Sequence, residues 1–340
     1  MAEALNPVSK DGPGDRPGGP APGGRLKPTA LKPGDLVAVV APAGRVRNEK
    51  ALAGGVRVLE HLGFRVVLGR HLTEHRGYLA GPDEARADDL NRALADPEVR
   101  GIVAARGGYG ASRILPLVDY AAARNDPKVF VGYSDLTALH LAFARETGLV
   151  TFHGPVVESL GERLTRFTLD SFVRAVTSTD PLDVLPVPDD YPPPRVVSAG
   201  RAVGPLAGGN LSLVAGLLGT PYELDARGRV LILEDVREQP YRIDRMLTQL
   251  VLSGALGQAA GVALGEMVAC EPAAEGDEDG APWSLTVDEV IADHLAGLGR
   301  PVLSGLPCGH GRDKWTLPLG VAATLDGYKA RLIIEEAACG

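Results

Sequence analysis

Three cysteines in 340 residues, Cys270, Cys308 and Cys339, are too few and too scattered for a disulfide framework or a paired-cysteine metal site. A reducing, cytoplasmic setting is the expectation. Long apolar runs are also missing. The longest, LVAVVAPAG from Leu36, is strand-sized and well short of the about 18 residues that span a bilayer, so no membrane partner is expected. Basic clusters are absent too, with 35 Lys and Arg against 43 Asp and Glu and a net charge of -8. A phosphate backbone is bound by clustered cations, so nucleic acid is excluded as a partner. The opening stretch, MAEALNPVSKDGPGDRPGGPAPGGR, lacks the apolar core of a secretion signal and is dense in Gly, Pro and charge. Residues 1–28 are expected to be a disordered tail outside the fold.

What remains has 45% apolar residues and enough length for two cores. DLVAVVAPAG, FRVVLG, GIVAARGG and KVFVGYS carry continuous apolar residues, the pattern of strands buried on both faces. Between them, NEKALAGGVRVLEHLG keeps a helical spacing through Leu52, Val56 and Leu59, and PDEARADDLNRALADP has acidic residues in its first turn. Repeated strand and helix units predict an α/β domain over residues 29–178, with a parallel sheet and helices on both faces. Residues 179–205, with proline throughout DPLDVLPVPDDYPPPRVVSAG, read as a linker. A smaller α/β domain follows over residues 206–340. It has strands at RVLILED, GVALGEMVA and PVLSGLP, helices at NLSLVAGLLG, YRIDRMLTQLVLSGAL and TVDEVIADHLAGLG, and a closing hairpin around Asp326-Gly327.

Candidate chemistry begins at KVFVGYSDLTALH, where Ser134 lies between a strand and a helix. It could cap the helix, or it could be a nucleophile on a sharp strand-to-helix turn; the pattern is G-Y-S-D rather than G-x-S-x-G, and spacing leaves both readings open. A serine nucleophile needs a base. Of seven histidines, His61 and His294 fall inside helices and His140 lies on an apolar stripe, while His153 of TFHGP follows a short strand. His310 of PCGHGRDKW, between glycines after a strand, is the better candidate. For an orienting carboxylate, Glu234 is the first polar residue as RVLILED leaves the sheet, ahead of Asp235 and Glu238, and an ion pair with Arg237 or Arg242 is the competing reading. AARGGYGASR places glycines before a helix, where backbone N–H groups favour an anion, but it lacks the third glycine of a dinucleotide fingerprint. HLTEH at residues 71–75 matches an inverted zinc-peptidase pattern, yet it runs into RGYLAGPD, which leaves no room for the necessary helix; no metal and no cofactor are expected.

Five blocks in order, RGGYGASRILPLVDY, KVFVGYSDLTALHLAFARETGLVTFHGP, GGNLSLVAGLLGTPYELD, RVLILEDVREQPYRIDRMLTQL and GHGRDKWTLPLG, closely resemble the LD-carboxypeptidases, serine peptidases that also include the microcin C self-immunity proteins. The resemblance runs from about Leu31 to Ile334. It implies two domains with the active site at their junction and a triad falling on Ser134, His310 and Glu234. It further implies an oxyanion hole from the N–H groups of Gly108 and Asp135, and substrate contacts from Asn210 and Arg106. The implied enzyme is a metal-free homodimer that removes the terminal D-alanine of a murein tetrapeptide in the cytoplasm. The alternative is a microcin-type peptidase acting on an aminoacyl nucleotide, which calls for an aromatic ring to stack on the base. The interdomain segment offers Tyr191 and no tryptophan, which favours the muropeptide.

Overall fold

The computed structural model describes residues 25–272 and 284–340. The expected tail lies outside the described residues as far as residue 24. Its last residues are held, however: Leu26 bridges to Leu149, Arg25 and Lys27 pair with Glu336, and Gly340 donates to the Pro28 carbonyl.

Five parallel strands build the first sheet, β1 (Leu36–Val40), β2 (Arg65–Leu68), β3 (Val99–Ala104), β4 (Val129–Gly132) and β5 (Thr151–His153), in the order β5-β4-β3-β1-β2. The helix Glu49–His61 starts where the Asn48 side chain accepts from the Ala51 N–H, and Asp83–Ala95 carries two acids in its first turn, where they complement the helix dipole. Four of these strands are interior, but β2 is not. It is the sheet edge, with Val67 41% and Leu68 48% exposed, so the expectation of burial on both faces fails there. Parallel strands turn their carboxyl ends to one rim, and in open α/β sheets that rim carries the site.

The proline-rich segment does more than link. It contributes β6 (Asp183–Val184) and β7 (Arg195–Ser198), which lie at opposite edges of a second sheet. The prolines before Arg195 fall outside the paired residues of β6 and β7, which is how a segment unable to donate at those positions still adds strands. The other strands of this half are β8 (Arg201–Asn210), β9 (Val230–Val236), β10 (Gly261–Val268), β11 (Val302–Leu306), β12 (Leu317–Leu319), β13 (Ala322–Asp326) and β14 (Arg331–Ile334). The second sheet runs β6-β14-β13-β8-β9-β10-β11-β7, with β8 through β11 parallel. The hairpin expected at Asp326-Gly327 is β13–β14. β12 leaves its neighbours and pairs antiparallel with β5, adding a sixth strand to the first sheet.

That exchange stitches the two halves together. Along β1, Val37 and Val39 enter one buried cluster while Ala38 and Val40 enter the other, as a period of two requires. Each cluster draws on both halves: Phe130 and Phe143 share one with Leu233 and Ile243, and Phe152 and Phe172 share the other with Ile232 and Leu325. Burying such side chains contributes about 1.5–3 kcal/mol apiece.

Candidate active site

β4 ends at Gly132, Tyr133 is extended, and Ser134 turns to φ +64° before a single turn feeds the helix Thr137–Glu146. Ser134 caps nothing, because neither the turn nor the helix has a side-chain cap. A non-glycine residue in left-handed backbone costs about 1–2 kcal/mol, so the turn is held by its surroundings. Gly107 supplies the room: a methyl group there would stand 3.0 Å from Ser134 Cβ and 3.2 Å from Oγ. Gly108 and Asp135 each follow one member of this close pair. The glycine loop is fastened on both sides, with the Gly44 N–H donating to the Gly107 carbonyl (2.9 Å) and the Ala111 N–H to the buried Asp135 carboxylate (2.7 Å).

Across from this turn, the end of β9 presents three acids, and each has its own partner. Glu238 faces Arg242 at 3.4 Å, Asp235 accepts from Asn210 and Ser212, and Glu234 turns inward with 0% exposure. Its Oε2 lies 2.7 Å from His310 Nδ1, so the competing ion pair with Arg237 or Arg242 does not form. The unusual backbone of the PCGHG loop rests on Gly309, at φ +94°, where a methyl group would collide with the Glu234 carboxylate. Burial resists charge on Glu234, but the imidazoles of His153 and His310 more than offset it and bring its pKa down to about 2. An ionised carboxylate only accepts. His310 Nδ1 is therefore the donor to it, and Nε2 is the nitrogen turned away from the pair. The ring of Tyr133, the residue before Ser134, lies 4.8 Å from the His310 ring. Lys314 bonds the Gly311 carbonyl at 3.0 Å and sits over the same tyrosine at 5.2 Å.

Asn210 stands in register with Glu234 on the neighbouring strand. Its Oδ1 caps the next helix at the Leu213 N–H, its Nδ2 donates to Asp235 at 2.9 Å, and its backbone N–H donates to Thr137 Oγ1. Arg106, 17% exposed, donates to the Arg45 carbonyl, and its Nε is 3.4 Å from Glu158. Burial lowers its pKa, Arg47 and Arg45 add repulsion, and Glu158 opposes both. Glu158 also accepts from the backbone N–H groups of Arg47 and Asn48, so a single carboxylate arranges this arginine-rich loop.

The remaining histidines separate cleanly. His140 is buried between Thr151 Oγ1 and the Gly132 carbonyl; burial, helped by His153 and opposed by the Gly132 carbonyl, lowers its pKa to about 3 and keeps it neutral in the core. His61 is near the Arg57 carbonyl and His294 near Asp244. The HLTEH stretch is turns, as its context requires. His71 lies near Asp88 and Asp89, but Asp89 accepts from the Arg70 and His71 N–H groups, Asp88 pairs with Arg92, and His71 pairs with Glu74. Tyr133 and Lys314 were not legible as site residues, since only the packing of distant loops brings them to His310.

Residues 37–154 match the LD-carboxypeptidase N-terminal domain and residues 203–325 the LD-carboxypeptidase C-terminal domain. The chain belongs to the LD-carboxypeptidase family. This LD-carboxypeptidase is 38% identical to the probable murein peptide carboxypeptidase of Bacillus subtilis, over 91% of its own length and 94% of that protein. It is 32% identical to the murein tetrapeptide carboxypeptidase of Pseudomonas aeruginosa, covering 87% and 94% of the two chains. Among solved structures, the apo wild-type microcin C7 self-immunity protein superposes with a TM-score of 0.84 at 27% identity, over 93% of this chain and all of that one. The muramoyltetrapeptide carboxypeptidase from Oxalobacter formigenes gives 0.74 at 32% identity, over 88% and 97%. The enzyme is a serine-type carboxypeptidase of two α/β domains.

Proposed function

We propose that this LD-carboxypeptidase hydrolyses the bond preceding the terminal D-alanine of murein tetrapeptides, with Ser134 as nucleophile, His310 as general base and Glu234 as the orienting acid. The His310–Glu234 pair, with its imidazole 4.8 Å from the ring of Tyr133 next to the strained turn of Ser134, carries this reading. In it, His310 Nε2 takes the hydroxyl proton as Ser134 Oγ attacks the scissile carbonyl, and then returns that proton to the departing D-alanine amine. Water deprotonated by the same imidazole cleaves the ester and frees Ser134. The N–H groups of Gly108 and Asp135 receive the oxyanion, and each donor is worth about 3 kcal/mol of barrier.

The substrate end has a physical counterpart. A carboxypeptidase must hold a free carboxylate, and here Arg45, Arg47 and Arg106 gather beside the glycine loop around one glutamate. Among the described residues neither Arg45 nor Arg47 forms an ion pair with a carboxylate. We assign the peptide's terminal carboxylate to this group, with Arg106 innermost. Asn210 engages its Oδ1 with the Leu213 N–H and one Nδ2 hydrogen with Asp235, which fixes the amide and leaves its second hydrogen for the peptide.

The microcin-type reading draws on the TM-score of 0.84 with that immunity protein. Against it, the hydroxyl of Tyr191 is bonded to Glu266 at 2.5 Å, so the aromatic residue of the proline-rich segment is tied down rather than free to follow a nucleobase. Action in the cytoplasm and assembly as a homodimer go with the muropeptide reading, and sizing chromatography checks the second. Mass spectrometry of a muropeptide mixture and of an aminoacyl-sulfamoyl adenosine, each before and after incubation, separates the two substrates. Loss of the mass of one alanine from tetrapeptides, with the nucleotide conjugate left whole, is the expected result; the converse overturns it.

A further inference from the structure

The triad reading uses only one oxygen of Glu234. Its Oε2 faces His310, while Oε1 is buried and has no hydrogen-bond partner among the described residues. A buried carboxylate oxygen left without a donor is costly. The group in reach is His153, 1% exposed, whose Nε2 lies 3.7 Å from Oε1 and is likewise buried and unpartnered. Two buried polar atoms of complementary chemistry, facing each other without partners, are a contact waiting to shorten. Hydrogen bonds in catalytic sites are often long without substrate and tighten when it binds.

The fold holds His153 firmly in place. It ends β5, in register with Gly132 on one side and Leu317 of β12 on the other, so its ring emerges two residues from Ser134 in the neighbouring strand. Tyr133 packs edge-on to it at 6.1 Å while lying 4.8 Å from His310, so one tyrosine spaces both imidazoles. His140, 6.2 Å away ring to ring, cannot compete for Glu234, because both of its nitrogens are engaged elsewhere.

Resting on the triad reading above, we propose that His153 is a positioning residue, donating Nε2–H to Glu234 Oε1 so that the carboxylate is gripped between two imidazoles and aims its other oxygen at His310. His153 shares the carboxylate's charge and takes no proton from substrate. The other ionisable groups around Glu234 are Lys314, Tyr133, Cys308 and Asp235, all left in place by substitutions at residue 153.

The test compares His153→Phe, which fills the space without a donor, with His153→Gln, whose amide can donate. Both are assayed for D-alanine release from an L,D-linked tetrapeptide across pH. For His153→Phe, kcat should fall about 10- to 100-fold, the usual size for partners that orient a catalytic ligand, with KM little changed. The acid limb of kcat/KM should also move to higher pH, because a carboxylate whose charge is no longer shared holds the His310 proton more tightly. His153→Gln should recover most of kcat and return the limb toward wild type. A folded His153→Phe enzyme with wild-type kcat and pH profile overturns the proposal. So does a folded His153→Gln enzyme as inactive as Ser134→Ala, which would make His153 a proton carrier. If the Phe variant does not fold, His153→Leu, which also lacks a donor, takes its place with the same expected and overturning results. Full activity in Glu234→Gln would instead refute the triad reading itself, a different failure.

Discussion

Ser134 occupies a backbone conformation that favours glycine, and the room for it comes from a residue 27 positions earlier in the chain. Gly107→Ala should therefore leave the fold intact, since φ there is not left-handed, yet crowd the hydroxyl. A fall in kcat/KM of about a hundredfold, with an unchanged circular dichroism spectrum, is expected, because a displacement near 1 Å has that effect. Glu234 gives a second expectation, this time about stability. Its folded pKa is lowered from 4.5 to about 2, so its charge adds stability that is complete above about pH 4.5 and drains away as pH falls toward 2. On acidification through that window the melting temperature of wild type should drop more steeply than that of Glu234→Gln. Parallel curves would show that the carboxylate gains nothing from its two imidazoles. Local signals singled out Ser134, His310 and Glu234 as candidates, because Ser134 and Glu234 fall where strands end and His310 sits between glycines. They could not show His153 against Glu234, since 81 residues separate them and no local period records their pairing.

Among the elements, β12 decides how the loop of His310 is carried. The loop holding His310 runs straight into Trp315, which is buried and donates Nε1–H to the Pro186 carbonyl at 2.6 Å, and then into β12 beside β5. Trp315→Ala opens a large cavity at this crossing and should cost about 3–5 kcal/mol, while Trp315→Phe should cost about 1 kcal/mol for the lost hydrogen bond. Urea denaturation checks both, and equal costs would show that packing plays no part. The parallel strands of the first half and the Asp-Gly hairpin could be read from their patterns, because burial on both faces and turn chemistry are local signals. The crossing of β12 and the edge strands within the proline-rich segment could not. Their pairing partners lie more than 100 residues away, and proline masks strand character.

Over the whole molecule, the two matched domains are less separate than a linker between them implies. β12 belongs to the first sheet, both buried clusters span the two halves, and the Asn210 N–H bonds Thr137 at the start of the helix that follows Ser134. Catalytic activity and far-ultraviolet circular dichroism should therefore be lost at one urea midpoint; two resolved transitions would mean that the halves unfold independently. Such a rigid junction suits a mechanism in which one half brings the alcohol and the other the imidazole and carboxylate. The most direct check is the release of D-alanine from a purified murein tetrapeptide, followed by mass spectrometry, by wild type and by a folded Ser134→Ala enzyme. Release by wild type and a loss of at least about a thousandfold in the variant is expected, whereas sustained release by Ser134→Ala would contradict the assignment of the nucleophile.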